Sequence, residues 1–295
     1  MTGFIKIILL LFIMQVTYVQ ADNFTIDSLP EASKKLMRDK GVWKDGCPVS
    51  LERLKVVRFS YYDFNFIEHH NGNIVVLDVV ANNVVNIFRE FHTLKFPIHK
   101  AQVIENYGGN DEESMTDNNS SCFNCREIVG GGLSSIHSYG LAIDINPVQN
   151  PYISSQDLSN KNRGLLKILP AAGYDYLNRT NIRLGMVEPI VTIFARNGFS
   201  IWGGKWNNPI DWQHFQPSRA MAQLLATMTY NDGLTLFNFY VKESKLLNSI
   251  DHNDNRFIML YKKSPSLFIQ CFKDLPNLLK IEPDHAYQVL SHKIN

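Results

Sequence analysis

The chain has 295 residues, 45% of them hydrophobic and 19% charged, a balance that suits a folded globular protein with a sizeable core. Its formal net charge is +1 and it has no Lys/Arg-rich run, so nothing in it marks a nucleic-acid-binding surface. No internal repeat or low-complexity segment is present, and the length allows one large domain or two smaller ones.

At the N-terminus, Lys6 precedes a nearly unbroken apolar run from Ile7 to Met14, and Val19-Gln20-Ala21 supplies the small residues of a cleavage site. This layout predicts a secretory signal peptide over residues 1–21. The run is shorter than the ~20 apolar residues a spanning helix needs, so an exported protein, periplasmic or secreted, is expected, with no stable membrane insertion after removal of the signal. Four cysteines remain: Cys47, Cys122, Cys125 and Cys271. In an exported chain they are expected to be structural, and spacing alone does not choose among the three possible pairings. A redox or half-zinc reading of Cys122-x-x-Cys125 lacks both a second C-x-x-C and a thioredoxin-like context.

Residues 22–46 read as a lead-in, with a short surface helix between Asp27 and Lys40. Leu54 to Phe64 predicts a strand, Asn71-Gly72-Asn73 a hairpin turn, and Ile74 to Leu77 a second strand. Val80, Val84, Ile87, Phe88 and Phe91 recur at helical spacing, so Val79 to Leu94 predicts a packed helix that ends before Pro97. Ala101 to Tyr107 is expected to be a strand and Gly108 to Asn124 a long polar loop, a kind of segment that is often functional. The glycines 130–132 lead into a strand over Leu141 to Ile145, which carries Asp144 at its end before Asn146-Pro147. Helices are expected over Glu188 to Asn197 and Ala220 to Tyr230, with an aromatic turn at Trp202 to Trp206 between them. Hairpins mixed with a few helices, without regular βαβ alternation, point to the α+β class.

The chemistry concentrates in two stretches, S-I-H-S-Y-G-L-A-I-D from Ser135 to Asp144 and D-W-Q-H-F from Asp211 to Phe215. They offer His137, Asp144 and His214, and two imidazoles with one carboxylate make a common ligand set for a catalytic metal with an open position for water. Asp211, three residues before His214, is close enough to act on that water, provided the turn at Trp212 swings it toward the metal. Arg126, on the loop just before the site, is a candidate for holding a substrate carboxylate or a developing oxyanion. Singly, each of these residues has a blander reading as a packed histidine, a turn acid or a solvated charge. The complete set, with glycines around it, argues for a metallohydrolase.

The pattern S-x-H-x-x-G-x-A-x-D, matched by Ser135, His137, Gly140, Ala142 and Asp144, and D-x-x-H, matched by Asp211 and His214, resemble the D-alanyl-D-alanine carboxypeptidase family of zinc peptidases. Phe123-Asn124-Cys125-Arg126, Asn146-Pro147, Asn150-Pro151-Tyr152 and Trp202-Gly203-Gly204 resemble its VanY-like and phage L-alanyl-D-glutamate endopeptidase branch. The resemblance covers roughly Cys47 to Pro217. It implies one zinc ion on His137, Asp144 and His214, Asp211 as general base, Arg126 on substrate or transition state, and Ser135 lining the substrate site. It also implies a small antiparallel sheet with flanking helices, shared with the hedgehog signalling domain, and peptidoglycan peptides as substrate. The expected organisation is then a peptidase domain over residues 47–230 and a C-terminal extension over 231–295.

Three rival readings bear on the same residues. A non-haem iron triad uses two His and a carboxylate, but six residues separate His137 from Asp144 and that chemistry leaves Asp211 without a role. A structural zinc site requires a fourth protein ligand. A zinc-containing wall-binding or protein-binding module of hedgehog-like fold predicts loss of the base or the arginine, and both are present.

Overall fold

The computed structural model describes residues 23–128, 131–155, 166–243, 255–275, 277–278 and 281–295. The expected signal peptide lies outside them, as does Gly130 of the glycine lead-in. Among the described residues no helix is long and apolar enough to cross a membrane. The architecture is α+β, as expected, with the strands in small, mostly antiparallel sheets flanked by helices.

The first sheet is antiparallel, in the order β1 (Thr25–Ser28), β2 (Leu54–Tyr62), β3 (Glu68–Leu77). Strand β1 falls in the lead-in, which the sequence reading left without a strand, and it pairs with β2 from Thr25↔Arg58 to Ser28↔Lys55. The β2–β3 turn also differs from expectation. The chain reverses at Asp63 to Ile67, where the Asp63 carboxylate accepts the N–H groups of Asn65 and Ile67 at 2.8 and 2.9 Å. Asn71-Gly72-Asn73 runs inside β3 instead. Gly72 is needed there for space: a Cβ would stand 2.6 Å from the Phe59 ring and 2.9 Å from the Phe59 carbonyl oxygen. Phe59 in turn stacks on Phe88 at 3.7 Å between ring centroids, which seats the helix α2 (Ala81–Thr93) on the sheet through Val84, Ile87, Phe88 and Phe91.

The helix α1 (Glu31–Asp39) follows β1 and buries Met37. After α2 the expected strand over Ala101–Tyr107 shrinks to β4 (Lys100–Ala101), and Ile104–Tyr107 forms a 3-10 turn ended by left-handed Gly108. The expected long loop contains a helix, α3 (Asp111–Thr116), whose first N–H groups are capped by Asn110, and β5 (Asn119–Ser120), parallel to β4. Three short strands then build the site sheet in the order β6 (Ile143–Asp144), β11 (His214–Gln216), β9 (Ile201–Trp202). A third sheet pairs β10 (Ile210–Asp211) with β7 (Tyr152–Ser155) and β7 with β8 (Leu166–Leu169). Between β8 and β9 in the chain comes α4 (Val191–Arg196), preceded by a 3-10 turn over Glu188–Ile190 and ended by left-handed Gly198.

The helices α5 (Arg219–Thr227), α6 (Tyr230–Glu243), α7 (Arg256–Lys263), α8 (Pro265–Asp274) and α9 (Pro283–Ile294) complete the chain. Residues from Leu29 and Met37 through Phe237, Phe272 and Leu290 belong to one continuous buried apolar cluster. Arg53 fastens this end of the chain: its Nε and Nη2 donate to the buried Asp78 carboxylate at 2.6 and 2.9 Å, and its Nη1 donates to the Met228 carbonyl at 2.6 Å.

One disulfide forms, Cys47–Cys125, while Cys122 and Cys271 remain buried thiols. The half-zinc reading of Cys122-x-x-Cys125 therefore fails, because Cys125 is consumed by Cys47. With its ends 78 positions apart in sequence, the bridge removes substantial freedom from the unfolded chain. Cys47→Ser is expected to lower the unfolding free energy by about 4 kcal/mol, near the upper end of typical disulfides. A guanidinium unfolding midpoint equal to that of the parent chain would contradict this.

Candidate metal centre

His137 lies on a tight 3-10 turn, Ile136–Tyr139, with Ser135 at its N-cap and Gly140 at its C-cap. Ser135 Oγ accepts the His137 N–H at 3.3 Å. Gly140 has φ +65°, and a Cβ there would stand 2.7 Å from the backbone nitrogen of Leu77. Glycine thus serves both the left-handed turn and the close approach to β3, where the Leu77 N–H donates to the Gly140 carbonyl at 2.9 Å. The chain then passes through fully buried Leu141 and Ala142 into β6.

The registry of the site sheet does the remaining work. Asp144 on β6 stands directly opposite His214 on β11, although 70 residues separate them in sequence. Side chains alternate along a strand. Phe215 therefore turns into the core, stacked on Phe194 at 3.9 Å, while His214 and Gln216 share the other face. The expected turn at Trp212 is present, and it leaves Asp211 Oδ2 4.0 Å from His214 Nδ1. Trp202-Gly203-Gly204 holds that turn. Trp202 Nε1 donates to the Trp212 carbonyl at 2.7 Å, and a Cβ on Gly203 would lie 2.5 Å from the Asp211 carbonyl oxygen.

His137, Asp144 and His214 are all buried or nearly so, and one ligand atom from each falls within 4.8 Å of the others. Nε2 of His137 is 3.3 Å from Asp144 Oδ2 and 3.2 Å from His214 Nδ1, which is itself 3.0 Å from Asp144 Oδ1. The outward nitrogens are both committed: His137 Nδ1 donates to the Cys122 carbonyl at 2.5 Å, and His214 Nε2 donates to Gln216 Oε1 at 2.7 Å. When each imidazole is neutral with its one N–H on the outward nitrogen, as metal binding requires, the inward atoms of the cluster all present lone pairs. Three such atoms crowded together repel unless a cation lies among them. Ligands ~2.1 Å from a tetrahedral metal stand roughly 3.4 Å apart, close to the separations here. The residues present fit a metal ion, with zinc suited to this nitrogen and oxygen set.

Electrostatics agree with a cation-seeking cluster. Burial works to raise the Asp144 carboxyl, but the charge and hydrogen bond of His137, with His214 behind, hold it well below the usual carboxylate range. Burial opposes charge on His214 as well, and is outweighed by the hydrogen bond and charge of Asp144 and by Asp211, so it lies above its ordinary value. Asp211 moves the other way: burial, reinforced by the Asp144 charge, pushes it up to about 6. A cation in the cluster offsets the Asp144 charge and draws that value back down. Asp211 Oδ1 is buried and accepts no hydrogen bond from the described protein.

Arg126 is placed differently from the cluster residues. Its backbone is tied to the His137 turn, where Ser138 Oγ accepts its N–H at 2.9 Å and its carbonyl accepts the Ser135 N–H at 2.9 Å. Its guanidinium pairs through Nε with Asp111 of α3. Asp111 also accepts from Asn124 Nδ2 at 2.7 Å, and Asn124 N–H donates to the His137 carbonyl at 3.3 Å.

Sequence reasoning missed the supporting residues. Asp111 sat inside a segment read as loop, and Gln216 carried no motif, although a polar side chain two residues beyond a ligand on a strand shares its face. Asn146 and Asn150 are fully buried and join Pro97, His99, Gly185 and Val187 into one hydrogen-bond network behind Asp144. Asn146 adopts φ +45°, a conformation Asn tolerates better than most residues. A groove of about 500 Å³ lined by Tyr61, His69, Asn71, Lys100, Tyr107 and Asp117 contains none of the site residues.

Residues 129–217 match the family model described as D-alanyl-D-alanine carboxypeptidase. The matched stretch, just under a third of the chain, contains Ser135, His137, Asp144, Asp211 and His214, and begins three residues after Arg126. No curated protein and no solved structure matches the chain.

Proposed function

We propose that this chain, whose residues 129–217 match the family model described as D-alanyl-D-alanine carboxypeptidase, is a zinc peptidase that hydrolyses peptide bonds in peptidoglycan stem peptides. The observation that carries the reading is the convergence of three lone-pair atoms from His137, Asp144 and His214 beside a buried, unpartnered carboxylate oxygen of Asp211. Three protein ligands with an adjacent base is the arrangement of catalytic zinc sites. Zinc held there supplies Lewis acidity toward the scissile carbonyl and lowers the pKa of water toward ~7.

Asp211 then accepts the proton of the attacking water at Oδ1 and returns it to the departing amine nitrogen as the C–N bond breaks. The Cys122 carbonyl and Gln216 orient the His137 and His214 rings. Ser135, expected to line the substrate site, acts in this reading through the cap it gives the His137 turn.

Arg126 presents Nη2 to a substrate carboxylate or to the developing oxyanion, while Asp111 pairs with Nε and the Glu127 carbonyl accepts from Nη1 at 3.3 Å. Arg126→Ala is expected to lower turnover roughly 100-fold, with little change in melting temperature because the Asp111 pair is partly exposed. Unchanged kinetics would remove Arg126 from the site.

Export fits the Cys47–Cys125 bridge, since disulfides persist in oxidising compartments. The deciding experiment is mass spectrometry of peptidoglycan fragments after incubation with the purified, zinc-loaded protein. Released D-Ala or D-Ala-D-Ala identifies a carboxypeptidase-type enzyme, and new free D-Glu amino termini identify an endopeptidase. A folded, zinc-loaded protein that produces neither is a zinc-containing binding module, and the hydrolase reading falls.

A further inference from the structure

We infer that Gln216 is a positioning residue that keeps His214 in the one tautomer able to bind the metal, an inference that rests on the metal-site reading above. The His214 imidazole is buried between two acceptors that compete for its single proton. On one side Asp144 Oδ1 lies 3.0 Å from Nδ1; on the other, Gln216 Oε1 lies 2.7 Å from Nε2. A proton on Nδ1 faces the carboxylate and closes the inward lone pair, so that nitrogen cannot serve as a ligand. A proton on Nε2 faces Gln216 and leaves Nδ1 open toward His137 Nε2, 3.2 Å away.

Asp144 is the stronger acceptor by charge. Gln216 is the group that opposes it, and it can do so because His214 and Gln216 stand two residues apart on the same face of β11. His137 does not depend on a side chain in this way, since its Nδ1 donates to the backbone carbonyl of Cys122. The affinity of the site therefore hangs on one replaceable amide.

Two measurements on the full chain test this. The first is the zinc dissociation constant, by competition with a chromogenic chelator, for the parent chain, Gln216→Leu, the near-isosteric Gln216→Met, and Gln216→Glu. The second is the imidazole ¹⁵N spectrum of the metal-free chain, recorded above the pH at which His214 takes a second proton, which reads the tautomer directly. Leu and Met are expected to weaken zinc binding about 10- to 100-fold, the size of effect known for outer partners of ligating histidines. Glu, an acceptor of full charge, is expected to bind at least as tightly as the parent. The His214 proton is expected on Nε2 in the parent and Glu chains and on Nδ1 in the Leu and Met chains. A folded Leu or Met variant that binds zinc like the parent, or keeps the proton on Nε2, overturns the role of Gln216. A parent chain that binds no zinc overturns the metal-site reading itself.

Discussion

Replacing His137 with Ala is expected to strip the protein of nearly all its zinc and, with it, all measurable peptide hydrolysis. The imidazole is one of three groups whose inward atoms converge within 4.8 Å, and the two that remain face each other as a carboxylate and a histidine with no third donor. Loss of an outer partner of a ligand already costs about 10- to 100-fold in metal affinity, so loss of the ligand costs more. The substitution also leaves the Cys122 carbonyl without its donor in a buried place, a cost of about 1–3 kcal/mol in stability. Zinc content must therefore be measured on variant protein shown by circular dichroism to be folded. Full zinc retention in such protein would refute the ligand assignment. Iron in place of zinc in the parent chain would favour the oxygenase-type triad.

How far this site was legible in the sequence depends on how local each part is. The turn that carries His137 is written into ten consecutive residues, with Ser135 as cap and Gly140 at the left-handed reversal, so its meaning survives without the rest of the fold. The opposition of Asp144 and His214 is a matter of strand registry across 70 residues, which no periodicity in such short strands announces. Gly72 was misread because Asn-Gly is a strong hairpin signal, whereas its real constraint is the ring of Phe59 on the neighbouring strand. The helix α3 was missed because its polar sequence shows no apolar stripe. Its local signal was the cap, Asn110 ahead of Asp111, Glu112 and Glu113. The helices after Tyr230 carry no chemical motif, yet their aromatic residues, among them Phe237, Phe268 and Phe272, enter the same apolar cluster as the β2–β3 hairpin.

Asp211→Asn is expected to do the reverse of His137→Ala, keeping zinc while losing turnover by about 10²- to 10⁴-fold, the usual weight of a general base. Asn has nearly the shape of Asp, so the turn at Trp212 and its support by Gly203 are preserved. What is lost is the capacity to hold a proton at Oδ1, the atom that is buried and accepts no hydrogen bond from the described protein. Burial, which persists when a cation offsets the Asp144 charge, makes this carboxylate a better proton acceptor than an exposed one, which suits a group that must take a proton and give it back. Asp211 lies outside the group of three inward ligands, so zinc content by atomic emission should match the parent. An Asn variant that is zinc-loaded and fully active assigns the base elsewhere. A variant that loses both zinc and activity makes Asp211 a fourth ligand, and a site closed by four protein ligands is structural. The pair of substitutions thus separates the two jobs proposed for the site: His137 belongs to the set that would hold the metal, and Asp211 would move a proton beside it.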